Sequence, residues 1–122
     1  MKLEESNIYN QADGRSDKVW KIVDSWDFFK KDTIGKQLVR SADSISTNIA
    51  EGYGRFFFKE NRNFCYYSRG SLLETKNWLG KAFRREIIKE EDYKNLTDDL
   101  DKLHKSLNAY IKYITDNARK QN

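Results

Sequence analysis

The clearest pattern in the chain is an apolar residue at every third or fourth position near the C-terminus. The successive separations are 3, 4, 3, 4, 3 and 4, and the positions are Tyr93, Leu96, Leu100, Leu103, Leu107, Tyr110 and Ile114. This heptad spacing keeps one face of an α-helix against neighbouring helices. It predicts a long, packed fourth helix, followed by a frayed C-terminus over residues 116–122.

Similar periodicity predicts three helices upstream. They run from about 16 to 29, from about 34 to 52 and from about 59 to 85. Residues 1–14 are polar and aperiodic, which indicates a flexible N-terminal tail. The apolar positions that define the first two helices are Val19, Ile22, Val23, Trp26, Leu38, Ala42, Ile45 and Ile49.

The pattern predicts an all-α fold, an antiparallel up-down-up-down four-helix bundle over residues 15–115. No segment alternates with a period of two, and the chain contains no proline. Four amphipathic helices with short links favour this topology. The length of 122 residues corresponds to one domain.

Composition narrows the class of protein. The single Cys65 cannot form an internal disulfide, which fits the reducing cytoplasm. No apolar run is long enough for a membrane span or a signal peptide. The net charge is +4, and residues 55–89 carry nine basic residues against three acidic ones. Any nucleic-acid surface is therefore expected in that segment.

Signals for catalysis are weak. His104 is the only histidine, and no nucleophile accompanies it. Cys65 lies among aromatic residues, where a small buried thiol is the simpler interpretation. Zinc and di-iron spacings are absent from the sequence, and residues 52–54 are too short for a phosphate loop. We therefore predict a protein that is not an enzyme and has no cofactor and no metal.

Two polar stripes stand out on the second and third helices. Ser41, Ser44, Asn48 and Glu51 share one face of the second helix, and Glu74 lies on a similar face of the third. Hydrogen bonds between helices explain these stripes better than a ligand site, which stays the alternative. We expect Glu51 and Glu74 to be at least partly buried in polar contacts, with Arg40, Arg55 or Arg69 as partners.

A basic stripe is predicted on the outer face of the third helix. Its basic side chains could contact phosphates while its tyrosine stacks on a base. The alternative is an ordinary solvated face. The stripe consists of Lys59, Arg62, Tyr66, Arg69 and Lys76. Before it lie Phe56, Phe57 and Phe58, of which at least one is expected to be exposed or covered by a partner subunit.

Two strings of residues resemble a known family. Residues 39–55 read VRSADSISTNIAEGYGR, and residues 68–74 read SRGSLLE. Both are similar to the signatures of bacterial four-helix bundle proteins encoded in intervening sequences of 23S ribosomal RNA genes. The resemblance covers roughly residues 18–115. The shared positions, which we interpret as mostly structural, are Asn48, Glu51, Gly52, Arg55, Arg69, Gly70, Ser71 and Glu74.

The resemblance implies a small cytoplasmic protein that forms a homopentamer. A related branch, the accessory variability determinant of diversity-generating retroelements, binds nucleic acid and a reverse transcriptase. The leading hypothesis is therefore a non-catalytic homo-oligomer that binds RNA or DNA through its third helix. The alternative is a protein-binding adaptor, for example an accessory subunit of a reverse transcriptase.

Overall fold

A computed structural model of the chain describes residues 3 and 6–121. Within this part all regular structure is helical, and the chain forms an antiparallel four-helix bundle, as predicted. The second helix, α2, spans residues 28–53 and includes a π-helical turn. The bounds are α1 Asn7–Asp24, α2 with its three parts Phe28–Lys30, Lys31–Gly35 and Lys36–Tyr53, α3 Phe58–Arg84, and α4 Glu90–Gln121.

Each helix packs against two neighbours. α2 lies between α1 and α3, and α4 lies between α3 and α1. Consequently the outer side of the α1–α2 pair is opposite the outer side of the α3–α4 pair. The core between them is aliphatic, and its largest fully buried side chains include Leu38, Ile45, Ile49, Leu72, Leu79 and Leu100.

The heptad seam of α4 is buried as predicted. Leu103 is 1% exposed, and Tyr93 and Tyr110 pack against the core from its border. The helix does not stop near residue 115 but continues to Gln121, with Ala118 buried against the other helices. Residue 122 lies outside the described residues.

α1 begins much earlier than the sequence predicted. Ser6 caps it by accepting a hydrogen bond from the Tyr9 backbone N–H, and Ile8 and Ala12 are buried. The predicted tail over residues 1–14 is therefore wrong from Asn7 onward, and residues 1, 2, 4 and 5 lie outside the described part. The apolar stripe was inconspicuous because Ala12 and Ser16 are small.

The chain turns sooner between the first two helices than expected. α1 ends at Asp24, and the side chain of Asp27 accepts a hydrogen bond from the Lys30 N–H to start α2. Phe28 and Phe29 thus belong to α2. Asp32 and Thr33, which precede the predicted start at residue 34, lie inside the π-helical turn of α2.

Hydroxyl groups join α2 to α3. Ser68 Oγ donates to the Ile45 carbonyl oxygen at 2.8 Å, and the Thr75 hydroxyl lies 3.0 Å from Ser41 Oγ. Both contacts are buried. They satisfy polar groups that would otherwise destabilise the core. The interpretation of the polar stripe as contacts between helices is confirmed for Ser41.

Truncation of Leu103 to alanine should lower the free energy of unfolding by about 2–5 kcal/mol, because a large buried side chain leaves a cavity. Chemical denaturation followed by circular dichroism measures this. The neighbouring exposed Lys102→Ala serves as the control and should change stability by about 0.5 kcal/mol or less. Equal effects of the two substitutions would contradict burial of the seam.

Candidate nucleic-acid interface

α3 and α4 lie side by side in opposite directions, which decides which residues meet. The Lys76 ammonium pairs with Asp101 near one end. Arg69 Nη1 donates to Asn108 Oδ1 at 3.0 Å in the middle. The Phe58 N–H donates to Gln121 Oε1 at 2.9 Å at the other end. The first half of α3 therefore runs beside the second half of α4.

The five residues of the predicted basic stripe share one side of α3. Arg62, Arg69 and Lys76 are spaced by seven residues and follow the boundary with α4. Lys59 and Tyr66 lie next to them on the exposed side. The Arg69 guanidinium stacks on Tyr66, with its carbon 5.2 Å from the ring centroid.

These side chains are not equally available to a ligand. Lys59 is exposed and makes no salt bridge within the described part of the chain. Arg62 is half-buried, and its Nε is buried without a hydrogen-bond partner among the described atoms. The charge of Lys76 is compensated by Asp101. The available charge therefore lies toward the start of α3.

The structure adds cations from α4 that sequence reasoning missed. Lys105, Lys112 and Arg119 are exposed at seven-residue spacing, and the first two lie one turn after Asp101 and Asn108, which contact α3. We call these three together with Lys59, Arg62, Tyr66, Arg69 and Lys76 the α3–α4 groove. The charge of the last helix sums to zero over residues 91–122, so its local surplus was hidden.

Charge is separated along α4. Residues 90–101 contain six acidic residues and one lysine, whereas residues 102–121 contain five basic residues and one acidic one. Asp99 and Asp101 in the acidic part bind cations of neighbouring helices. The basic part lies beside residues 58–69 of α3, which add three cations and one acid. This end of the helix pair is consequently strongly cationic.

Aromatic side chains are exposed where the groove ends. Phe56 is 83% and Phe57 is 53% exposed, and their rings meet edge to face at 4.9 Å between centroids. Phe58 instead packs against the core. A shallow cavity of about 250 Å³ beside Phe57 and Lys59 continues the groove. The expectation of an exposed residue among these three phenylalanines is confirmed.

The two acidic residues of the shared motif do not lie where we predicted. Glu51 pairs at 3.7 Å with Arg55, one of its predicted partners, but Arg55 is its neighbour one turn away and the side chain of Glu51 is 57% exposed. Glu74 is exposed and has no ion pair within the described residues. The expectation of burial is wrong because the inward positions one residue away, at Gly52 and Thr75, carry the helix contact.

The other motif residues have structural positions. The side-chain amide of Asn48 donates to the Ser44 carbonyl oxygen at 2.8 Å, and Ser71 Oγ lies 3.0 Å from Ser44 Oγ across the α2–α3 boundary. The Arg55 guanidinium carbon lies 4.7 Å from the centroid of the Phe64 ring. The contacts of Ser71 and Arg55 connect α2 to α3, whereas the hydrogen bond of Asn48 lies within α2.

The two motif glycines have different surroundings. A Cβ at Gly52 would lie 2.5 Å from Asn61 Oδ1 and 2.9 Å from Phe64 Cβ. Asn61 is itself fixed, because its amide donates to the Tyr110 hydroxyl at 3.3 Å. A Cβ at Gly70 would meet nothing within 4 Å. Only Gly52 is required by close packing.

The thiol of Cys65 is buried beneath α3 rather than exposed in the groove. Burial raises the pKa of the Cys65 thiol to about 12, which keeps it protonated at neutral pH. Burial also raises the pKa of the Tyr110 hydroxyl. No group of three potential metal ligands occurs among the described residues. Nor does any helix in that part combine the length and apolar character needed to cross a bilayer.

Comparison with known proteins identifies relatives. The profile of the family described as 23S rRNA-intervening sequence protein matches residues 4–109. A crystal structure of a protein of unknown function from the S23 ribosomal protein family of Bacteroides thetaiotaomicron VPI-5482 is similar in fold. Its TM-score is 0.78 at 23% identity, over 86% of this chain and 98% of that one. No curated protein matches the sequence significantly.

The glycine pair provides a matched test of the α2–α3 contact. Gly52→Ala should lower the free energy of unfolding by about 2 kcal/mol, a usual cost of overpacking. Gly70→Ala should raise it by up to about 1 kcal/mol, because alanine favours the helix and no atom obstructs it. Urea denaturation measures both, and a stabilising Gly52→Ala would contradict close packing there.

Proposed function

Because the chain belongs to the 23S rRNA-intervening sequence protein family, we propose that it is a non-catalytic homo-oligomer that binds RNA or another nucleic acid along the α3–α4 groove. The main observation in support of the proposal is that cations from two helices lie near the boundary between α3 and α4. Lys59 and Arg62 come from α3, and Lys105, Lys112 and Arg119 come from α4.

This arrangement does not favour the stability of the isolated bundle. Like charges on adjacent helices repel each other, and cations near a helix N-terminus oppose the helix dipole. Lys59 and Arg62 lie in the first two turns of α3, beside the cationic end of α4. An anionic ligand would relieve both effects, since each phosphate that the lysines and arginines neutralise also releases condensed counterions.

The aromatic residues fit the same ligand class. Tyr66 on the groove and Phe56 and Phe57 at its end are exposed. Stacking on such rings tolerates any base, so it adds affinity without selecting a sequence. A groove of lysines, arginines and aromatic side chains thus suits single-stranded nucleic acid, bound with little sequence preference.

Oligomerisation has separate support from exposed apolar side chains. Tyr67 and Leu73 of α3 are exposed on the outside of the bundle, away from the aliphatic core. Subunit contacts would remove such surface from water. Repetition of the groove around a homo-oligomer would also add weak contacts through multivalency.

Light scattering at micromolar concentration should give a mass well above the 14.5 kDa of one chain. We expect five times that value, a homopentamer. A constant monomer mass across the concentration series would overturn the oligomeric part of the proposal, while leaving the RNA measurements on the monomer interpretable.

Reversal of charge at three exposed groove lysines, Lys59→Glu, Lys105→Glu and Lys112→Glu, should weaken binding of a labelled polyuridine RNA by about tenfold or more. Each lost phosphate contact should also reduce the slope of log affinity against log salt by about one. Fluorescence anisotropy in a salt series measures both quantities. Arg62 is left intact because it is half-buried, and Lys76 because its pair with Asp101 joins α3 to α4. The pair of Lys112 with Asp116 is exposed and lies within α4.

A control with the same change in net charge separates the groove from the charge of the whole molecule. Lys21→Glu, Lys89→Glu and Lys94→Glu alter exposed lysines at the opposite end of the bundle. This variant should keep most of the affinity and the salt slope. Equal losses in the two triple variants would show that the α3–α4 groove is not the binding site.

A further inference from the structure

A pocket of about 270 Å³, open to solvent, lies between α1 and α2 near the turn that joins them. Its apolar lining comes from Trp20, Val23 and Val39. Trp20 remains 59% exposed although it borders this concavity. Exposed apolar surface beside polar residues marks interaction sites in soluble proteins. The pocket has room for one large apolar side chain of a ligand.

The floor of this pocket depends on the π-helical turn of α2. Gly35 closes that turn, and a Cβ there would lie 2.7 Å from Val23 Cγ1. The turn therefore contacts α1 directly through backbone. Such π-helical turns occur frequently at functional sites, because they change the direction of side chains within a helix.

Three cations and one carboxylate, that of Asp24, line the pocket beside its apolar residues. Lys31 pairs with Asp24 at 3.5 Å, and Lys36 pairs with Asp32 at 3.4 Å. Arg40 is exposed and forms no ion pair within the described part of the chain. A guanidinium beside an apolar pocket is suited to a carboxylate, which it can bind through two parallel hydrogen bonds.

The sign of the charge reverses one helical turn further along the same groove. Asp43 of α2 lies there with Asp13 and Asp17 of α1. The pKa of the Asp43 carboxyl is raised mainly by burial and further by the charges of Asp13 and Asp17. A polyanion such as nucleic acid would extend from the cations onto these carboxylates and be repelled. The charge pattern therefore favours a ligand with a short acidic stretch.

The apolar surface is also larger than a small anion would cover. Phe28 and Phe29 are exposed at the start of α2, one turn before Lys31. Aromatic side chains and arginine are enriched in protein–protein interfaces. We propose that this pocket binds a short acidic segment of a partner protein, which places an aromatic or large aliphatic side chain against Trp20 and a carboxylate on Arg40.

Selection from a random peptide display library on the full-length protein tests this inference. Enriched peptides should combine acidic residues with an aromatic or large aliphatic one. A labelled peptide from the selection should bind in fluorescence anisotropy. Trp20→Ala and Arg40→Glu should each weaken that binding by about tenfold or more, as expected for central interface residues.

Matched controls lie elsewhere on the surface. Tyr113→Ala removes a similarly exposed aromatic side chain of α4, and Arg85→Glu reverses an exposed arginine after α3. Both should bind the peptide as the unchanged protein does. Polyuridine binding should persist in all four variants, because the pocket and the α3–α4 groove are on opposite sides of the bundle. Loss of nucleic-acid binding alone would contradict the proposed function and would not affect the inference of a peptide site.

Three results would overturn the inference. These are a library that yields no binder, binders that lack acidic residues, and binders whose affinity for Trp20→Ala and Arg40→Glu equals that for the unchanged protein. A drop in oligomer mass caused by Trp20→Ala would also overturn it, since a second copy of the chain would then cover the pocket. If Trp20→Ala lowers helicity, the exposed Arg40→Glu decides the test.

Discussion

The close contact between α2 and α3 is the constraint on which the other surfaces depend. Gly52 leaves space for Asn61 and Phe64, and the hydroxyls of Ser68 and Thr75 make hydrogen bonds across the boundary. Polar groups that meet across this boundary require specific hydrogen-bond partners, whereas aliphatic side chains can pack in more than one register. The contact therefore fixes both the rotation of α3 about its axis and its position along α2.

Fixing the rotation of α3 decides what faces α4. With Ser68 and Thr75 directed at α2, the positions at Arg62, Arg69 and Lys76 necessarily follow the other side of the helix, along α4. A rotation by one residue would exchange these cations for core positions. The structural motif and the cationic groove thus have Arg69 in common and otherwise consist of different residues, and the first set determines where the second one points.

The sequence was most informative where side-chain size or spacing had a single explanation. The heptad of α4 was interpreted correctly, because only burial between helices accounts for it. In the polar stripe of α2, Ser41 and Ser44 make the predicted contacts with α3. The start of α1 was missed, since Ala12 and Ser16 give little apolar signal although Ala12 is fully buried. The burial of Glu51 and Glu74 was predicted wrongly. A stripe of residues three and four positions apart on a helix also includes residues at the exposed border of the buried face.

The cations of α4 were missed for a different reason. Charge was summed over the whole helix, whereas a ligand meets only the half of the helix that lies beside its neighbour. In an antiparallel pair, the second half of one helix always meets the first half of the next, so charges should be counted over paired halves. Counted in this way, residues 58–69 and 102–121 combine eight basic residues with two acidic ones. That calculation needs only the topology, which the pattern of apolar positions had already predicted.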